Sequence, residues 1–274
     1  MTRATLAEVL RPALREGYAV AGLVCLGWED ARAYVAAAEA EGAPVILQAG
    51  PGARAHMPLP VWAAMFHALA DAASVPVVSH LDHGTSVAEC EEAIALGFTS
   101  VMFDGSRLPL DENIRQTRAI VEMAHAAGVS CEGEIGFVGY SEGAASEGTD
   151  PNEAARFARD TGVDAMAVSV GNVHQQTDHS AQIDRGRLSR IEAATDVPLV
   201  IHGGSGLSHA LRRSLAGTSA ICKFNIGTEL RMAFGTALRQ TLDAKPDAFD
   251  RIAILSAVED PLTQKAREVI GGLR

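Results

Sequence analysis

Three of the nine histidines in the chain, His83, His174 and His202, directly follow or close short β-rich runs. One such histidine would read as a satisfied packing residue, but imidazoles after three different strands can converge on a single ion. Neutral imidazole suits Zn²⁺, and a catalytic zinc keeps three protein ligands with one position open to water or substrate. His179, in the same stretch as His174, competes with it for the third place. Acids accompany these histidines: Asp82 precedes His83, Asp104 ends the next run, and Glu132 and Glu134 share one face of the run after that. His80 falls on the same face as Asp82 by the two-residue strand period, so it should point inward behind the ligands. His56, His67, His125 and His209 lie in helical or loop stretches and read as surface or packing residues.

A second chemistry is written in glycine. His202 is followed by Gly203, Gly204, Ser205 and Gly206, and a later run ends in Asn225, Ile226, Gly227 and Thr228 before a helical stretch. Glycine lets the backbone approach an anion closely, and a helix N-terminus offers unpaired N–H groups with a favourable dipole. The two segments together describe a phosphate cradle built by Gly203, Gly204, Ser205, Asn225, Gly227 and Thr228.

These residues need a scaffold that brings strand ends together. Eight β-rich runs recur: Val20–Leu26, Pro44–Gln48, Val75–Leu81, Ser100–Asp104, Val129–Gly136, Ala165–Val170, Pro198–His202 and Ala220–Asn225. Alanine-rich amphipathic stretches separate them, among them Asp30–Ala40, Val61–Ala72, Glu112–Ala127 and Leu207–Leu215, and Thr228–Leu242 follows the last. Strands that alternate with helices pair in parallel, because a parallel crossover needs about a dozen residues. Eight such units predict an α/β fold, a (β/α)₈ (TIM) barrel forming a single domain over residues 1–274, with an extra C-terminal helix beyond Ala257. An open doubly wound sheet is the structural rival. Active sites of such barrels lie at the C-terminal ends of the strands, where the long connections Phe137–Asn152 and Gly171–Gly186 would also sit. The first of these is a candidate mobile lid.

Composition narrows the partners. Charged residues make up 21% and hydrophobic residues 47% of the 274, enough for a large core and too apolar for a disordered chain. A net charge of -11 argues against nucleic acid or anionic membrane partners, which require a basic surface. Cys25, Cys90, Cys131 and Cys222 are scattered without metal-type spacing and read as buried free thiols. The N-terminus lacks the series of a signal peptide and no apolar run approaches a membrane span of roughly 20 residues, so a cytoplasmic location is expected.

Five motifs, taken in order, carry a resemblance. Leu81-Asp82-His83-Gly84, Asp104-Gly105-Ser106, Glu132-Gly133-Glu134-Ile135-Gly136, His202-Gly203-Gly204-Ser205-Gly206 and Lys223-Phe224-Asn225-Ile226-Gly227-Thr228 resemble the class II, zinc-dependent ketose-bisphosphate aldolases, over about Tyr18 to Arg231. The resemblance implies an aldehyde-lyase acting on a phosphorylated ketose through the enediolate of dihydroxyacetone phosphate. It implies that His83, His174 and His202 hold the zinc, that Asp82 is the acid/base, and that Glu134 lies near the metal, with Asp104 a further candidate there. It sets Glu142, on the long loop, as the proton carrier at the carbon nucleophile, and implies a monovalent cation near the phosphate and a dimer or tetramer. The chemistry is consistent: cleavage between C3 and C4 needs a base at the C4 hydroxyl and a Lewis acid for the charge left at C3.

The chain departs from the family pattern in three places. Gln175 follows His174 where the family has glycine, Gly50 replaces a serine after the second run, and the first run reads Val24, Cys25, Leu26, Gly27, Trp28 where asparagines are usual. Metal and phosphate groups persist while sugar-facing groups change, which predicts the same bond cleavage on a different sugar with a non-standard aldehyde partner. Three rivals remain at this point, one of them a zinc-assisted hydrolase or epimerase on the same scaffold, separable by product analysis. A Schiff-base aldolase would need a lysine, and of Lys223, Lys245 and Lys265 only Lys223 lies on a predicted strand. A non-catalytic sugar-phosphate-binding barrel, serving as a regulatory or partner subunit, would keep the fold and lose the chemistry.

Overall fold

The computed structural model describes residues 2–274. Eight parallel strands close into a barrel in sequence order: β1 (Val20–Val24), β2 (Val45–Ala49), β3 (Val77–Gly84), β4 (Ser100–Phe103), β5 (Ser130–Ile135), β6 (Ala165–Val168), β7 (Leu199–Ile201) and β8 (Ile221–Ile226), with β8 paired back to β1. The predicted runs are all present. Closure rules out the open sheet, and the pairing of β1 with both β2 and β8 is the observation that decides it.

The helical layer contains α1 (Leu6–Glu16), α2 (Trp28–Glu41), α3 (Pro51–His56), α4 (Leu59–Ala72), α5 (Val87–Ala95), α6 (Leu110–Ala126), α7 (Pro151–Thr161), α8 (Arg185–Glu192), α9 (His209–Thr218), α10 (Thr228–Ala244) and α11 (Arg251–Gly271). Thr5 starts α1 through a reciprocal capping box with Glu8, and Ser86, Asp150, Asp184, Ser208 and Asp250 cap α5, α7, α8, α9 and α11 with their side chains. The extra C-terminal helix begins at Arg251, earlier than the Ala257 boundary read from the sequence, and packs on α2 and α10. Two helices had no sequence expectation. α3 is a short turn started by Pro51 directly after β2, and α1 closes the N-terminal end of the barrel.

That closure stratifies the interior. Leu6, Val9 and Leu10 of α1 pack against Val20, Ile46, Val78, Ala165, Val200 and Cys222, the inward residues at the lower ends of their strands. Above this floor the inward positions turn polar: Gln48, His80 and His202 stand two residues past Ile46, Val78 and Val200, and they are fully buried, as are Glu132 and Lys223. Two residues higher again stand Asp82 and Glu134. The barrel is thus apolar at its floor and increasingly polar toward its mouth, where the chemistry is expected. All four cysteines are buried free thiols, as expected. Among the described residues no helix is long and apolar enough to cross a membrane.

Candidate active site

His83, His174 and His202 converge at the mouth, with ring centroids 4.6 Å (His83–His202), 5.3 Å (His83–His174) and 5.6 Å (His174–His202) apart. One ring nitrogen from each lies within 4.8 Å of the others, a spacing that could hold one metal ion. His179 is not in this group; its Nδ1 lies 3.0 Å from the Ser205 carbonyl and its ring faces His209. A second trio, His83, Asp104 and Glu134, satisfies the same spacing and shares His83 with the first.

Two of the three rings, His202 and His83, are oriented by a carboxylate behind them. His202 is fully buried and its Nε2 donates to Glu132 Oε1 at 3.0 Å, which leaves Nδ1 facing the cluster. That Nδ1 has no hydrogen-bond partner, and neither has the buried Glu134 Oε2, 3.4 Å away. Two orphaned groups in one buried spot are costly unless something else meets them, and a metal ion fits that role. His83 Nδ1 donates to Asp104 Oδ2 at 2.8 Å, freeing its Nε2. Tyr140 stacks on His174 at 4.9 Å and 26°.

The charges are set by burial and by this geometry. Burial opposes protonation of His83, but Asp82, the bond to Asp104 and the charge of Glu134 outweigh it and push its pKa up to about 10. Burial together with the charge of His83 lowers His174 to about 3 and His202 well below the ordinary value, so these two rings are neutral donors. Glu134 is raised to about 8 by burial and by Asp104. Asp104 itself is held low: burial works against ionisation, but the bond from His83 and two donors from Ser106 prevail.

Asp82 faces the same cavity, a space of about 260 Å³ also lined by His83, His174, Tyr140, Ser205 and Arg231. Gln48 Nε2 and Asn225 Nδ2 both donate to Asp82 Oδ1, at 2.9 and 3.2 Å. Its other oxygen, Oδ2, is directed toward Gly50, where an added Cβ would lie only 3.3 Å from it. Asn225, expected as a phosphate donor, lines the cavity and gives one amide N–H to Asp82. Gly203 sits at φ 66, and a Cβ there would lie 2.1 Å from the Val173 carbonyl oxygen, so this position accepts only glycine. Ser205 Oγ accepts from the N–H groups of Gly227 and Glu229, both at 3.3 Å, which ties the loop after β7 to the start of α10. Two N–H groups at the start of α10, one from its cap residue Gly227 and one from Glu229, are thus engaged inside the chain.

Glu142 does not line the cavity. It is exposed on a turn in which Tyr140 N–H donates to Ala144 O, and Tyr140, two residues earlier, occupies the mouth instead. The loop carrying both is fastened to the His174 segment: His174 N–H donates to Gly139 O at 2.8 Å and Ser141 N–H to His174 O at 3.1 Å. Gln175 holds φ 60, the left-handed backbone that a glycine adopts more easily. Lys223 is fully buried beneath the site, its Nζ 2.6 Å from Glu132 Oε2 and outside the residues lining the cavity, which removes it as a Schiff-base nucleophile. His80 is inward as expected, with Nδ1 2.8 Å from Ser100 Oγ and Nε2 3.3 Å from Lys223 Nζ. Tyr140, Arg231, Gln48 and Arg54 were not singled out from the sequence. Of these only Gln48 carried a signal, as a lone amide in an otherwise apolar strand.

A closed (β/α)₈ barrel with three convergent imidazoles, a carboxylate and a glycine-built loop at its mouth belongs to the metal-dependent barrel enzymes. The family model described as fructose-bisphosphate aldolase class-II matches residues 4–274, and the chain belongs to that family. It is accordingly a class II, metal-dependent aldolase, a carbon–carbon lyase of a family that in general uses zinc. A fructose-bisphosphate aldolase of Geobacillus stearothermophilus is 38% identical over 283 residues, covering 100% of this chain and 96% of that relative. A 6-phospho-5-dehydro-2-deoxy-D-gluconate aldolase of Shouchella clausii is also 38% identical, over 252 residues, 89% of this chain and 85% of the relative. Among solved structures, the YdjI aldolase from Escherichia coli K12 superposes with a TM-score of 0.88 at 31% identity, covering 99% of this chain and 97% of that one.

Proposed function

We propose that the chain, a single barrel domain over residues 1–274, cleaves or forms a phosphorylated ketose with His83, His174 and His202 as zinc ligands and Asp82 as acid/base. The observation that carries this reading is the buried, unpartnered Nδ1 of His202 among three convergent imidazoles, with Asp82 on the same cavity. Bound zinc supplies a Lewis acid that polarises the substrate carbonyl and spreads the negative charge left when the carbon–carbon bond breaks. Asp82 takes the hydroxyl proton whose loss drives cleavage. Gln48 and Asn225 pin its Oδ1, leaving Oδ2 as the oxygen that meets the substrate. Gly203, Gly204, Ser205, Gly227 and Thr228, with the second amide N–H of Asn225, receive the phosphate, whose charge favours the α10 N-terminus. Glu142 exchanges the proton at carbon when its loop swings over the mouth. Glu134 and Asp104 stand beside the ligands as an alternative set of oxygens for the ion. A monovalent cation near the phosphate, a dimer or tetramer and a cytoplasmic location follow from the family resemblance alone.

The wall on the β1 and β2 side offers Val24, Leu26, Gly50 and Ala53, with no hydroxyl or amide side chain among them. A sugar carbon bearing a hydroxyl loses its water there without gaining a partner, whereas a deoxygenated carbon loses nothing. This favours a substrate with a less hydroxylated aldehyde half than fructose 1,6-bisphosphate, in line with the relative named for a 2-deoxy phosphosugar acid. The test is a product-resolved aldol screen of zinc-loaded enzyme, pairing dihydroxyacetone phosphate with hydroxylated and deoxygenated aldehydes. Deoxygenated acceptors should win, and activity should vanish on chelation and return with zinc. Equal turnover of fructose and tagatose 1,6-bisphosphates at high efficiency would count against the substrate, and metal-independent activity against the ligand assignment.

A further inference from the structure

Asp82 and His83 are neighbours on one strand, yet both line one cavity. Regular β-structure forbids this, because consecutive side chains point to opposite faces. The strand breaks its own alternation here. Pairing of β3 with β4 runs His80↔Ser100 and Leu81↔Val101, then resumes at Gly84↔Phe103 with a register shift between Leu81 and Gly84. Inside that bulge His83 takes φ 50, a left-handed conformation uncommon for a side-chain-bearing residue, and turns its ring to the mouth. Such a conformation persists only where the surroundings over-determine it.

One side chain supplies much of that determination. Arg54, on α3, donates from Nη1 to the carbonyls of Ala49 (2.5 Å) and Asp82 (2.6 Å) and from Nη2 to the carbonyl of His83 (3.0 Å). Its Nε donates to Glu89 Oε1 at 2.8 Å, and the other oxygen of Glu89 accepts from the Thr85 N–H at 2.8 Å. The Arg54 side chain is only 7% exposed, and its guanidinium bridges the end of β2, both residues of the bulge and the first turn of α5. On the far side, the His83 N–H donates to the Met102 sulfur at 3.4 Å. The carbonyls freed by the bulge therefore find their donors in Arg54.

We infer that Arg54 is the positioning residue that holds the Asp82–His83 bulge so that base and ligand share one face. A planar fork fixed by a carboxylate suits this task, and lysine cannot reproduce it. The test uses full-length Arg54→Met and Arg54→Lys. Zinc affinity is measured by competition with a chromophoric chelator, and exchange of the carbon-bound hydrogen of dihydroxyacetone phosphate for deuterium is followed at saturating zinc. Zinc Kd should rise about 10- to 100-fold in Arg54→Met, as when an outer partner of a metal ligand is lost. The exchange kcat should fall about 100-fold with KM within about threefold, the cost of a misplacement near 1 Å. Arg54→Lys should show at least a tenfold fall in kcat, and guanidinium ion added to Arg54→Ala should restore part of the loss. Wild-type zinc affinity and kcat in Arg54→Met, or in Arg54→Lys if the methionine variant does not fold, overturn the inference even if stability drops. Only the exchange arm rests on the aldolase reading. A wild type that binds zinc but exchanges nothing would speak against that reading, and the zinc arm would still decide the role of Arg54.

Discussion

Replacing Glu132 with leucine separates the two tasks this carboxylate performs. Glu132 and Lys223 are fully buried 2.6 Å apart, and the other oxygen of Glu132 receives the His202 Nε2–H. Glu132→Leu strands an ammonium whose remaining neighbour is His80, and breaking a buried pair on one side costs about 3–5 kcal/mol. Lys223→Met strands the carboxylate and should cost a similar amount. Replacing both with apolar residues of similar volume is often neutral or better, so Glu132→Leu/Lys223→Met should lie within about 2 kcal/mol of the wild type. Metal binding should not recover with it. His202 lacks its acceptor in the double variant, which predicts a zinc Kd about 10- to 100-fold weaker than wild type. Urea unfolding of the metal-free proteins gives the first quantity and chelator competition the second. A single variant that loses less than about 1 kcal/mol, or a double variant that regains zinc affinity along with stability, refutes the division of labour.

Zinc binding should release protons. His83, with a pKa near 10 in the metal-free protein, carries a proton at pH 7 that a ligand must shed, so calorimetry in buffers of different ionisation enthalpy should report at least about one proton per zinc. Affinity should accordingly strengthen as pH rises from 6 toward 9, and a pH-independent affinity contradicts the charge assigned to His83. Tyr140→Ala removes a ring stacked on His174, an interaction worth about 0.5–1.5 kcal/mol, and should weaken zinc binding by about 3- to 10-fold in the same competition assay. Glu142→Gln should leave zinc affinity unchanged while abolishing most deuterium exchange into dihydroxyacetone phosphate; retained exchange would move that role to another group. Gly203→Ala should lower the urea midpoint strongly, because its Cβ would lie 2.1 Å from a carbonyl oxygen at a positive φ.

The barrel was legible because its signal is repeated. Eight β-rich runs, each backed by an amphipathic stretch, leave little freedom in how the elements can be arranged, and errors of one to three residues at strand ends do not disturb the order. What escaped was structure without periodicity. α3 opens on Gly50, Pro51 and Gly52, residues that read as a turn, and only Pro51 at the first helical position hints otherwise. The convergence of the three imidazoles was legible because side chains at the ends of strands 3, 6 and 7 have one place to meet in a closed barrel. The choice between His174 and His179 was open in the sequence, and it is His174 that the structure brings beside His83 and His202, on a segment whose backbone pairs with the loop after β5.

The unread part of the site shares one cause. Period-two reasoning puts Glu132 and Glu134 on one face, and it succeeded there. It fails wherever a bulge changes parity, and both bulges fall beside functional groups. Between Leu199 and Val200 the pairing of β7 shifts along β8 from Ile221 to Lys223, so Cys222 packs in the floor of the barrel while Lys223 also turns inward to Glu132. Between Leu81 and Gly84 the same device puts Asp82 and His83 on one cavity. Arg54 acts through three backbone carbonyls, groups that every residue carries, so nothing in its sequence neighbourhood marks its partners. A site that needs two adjacent side chains on one face must break the ladder that makes strands predictable, and the residues repairing the break are then identified by geometry rather than by type.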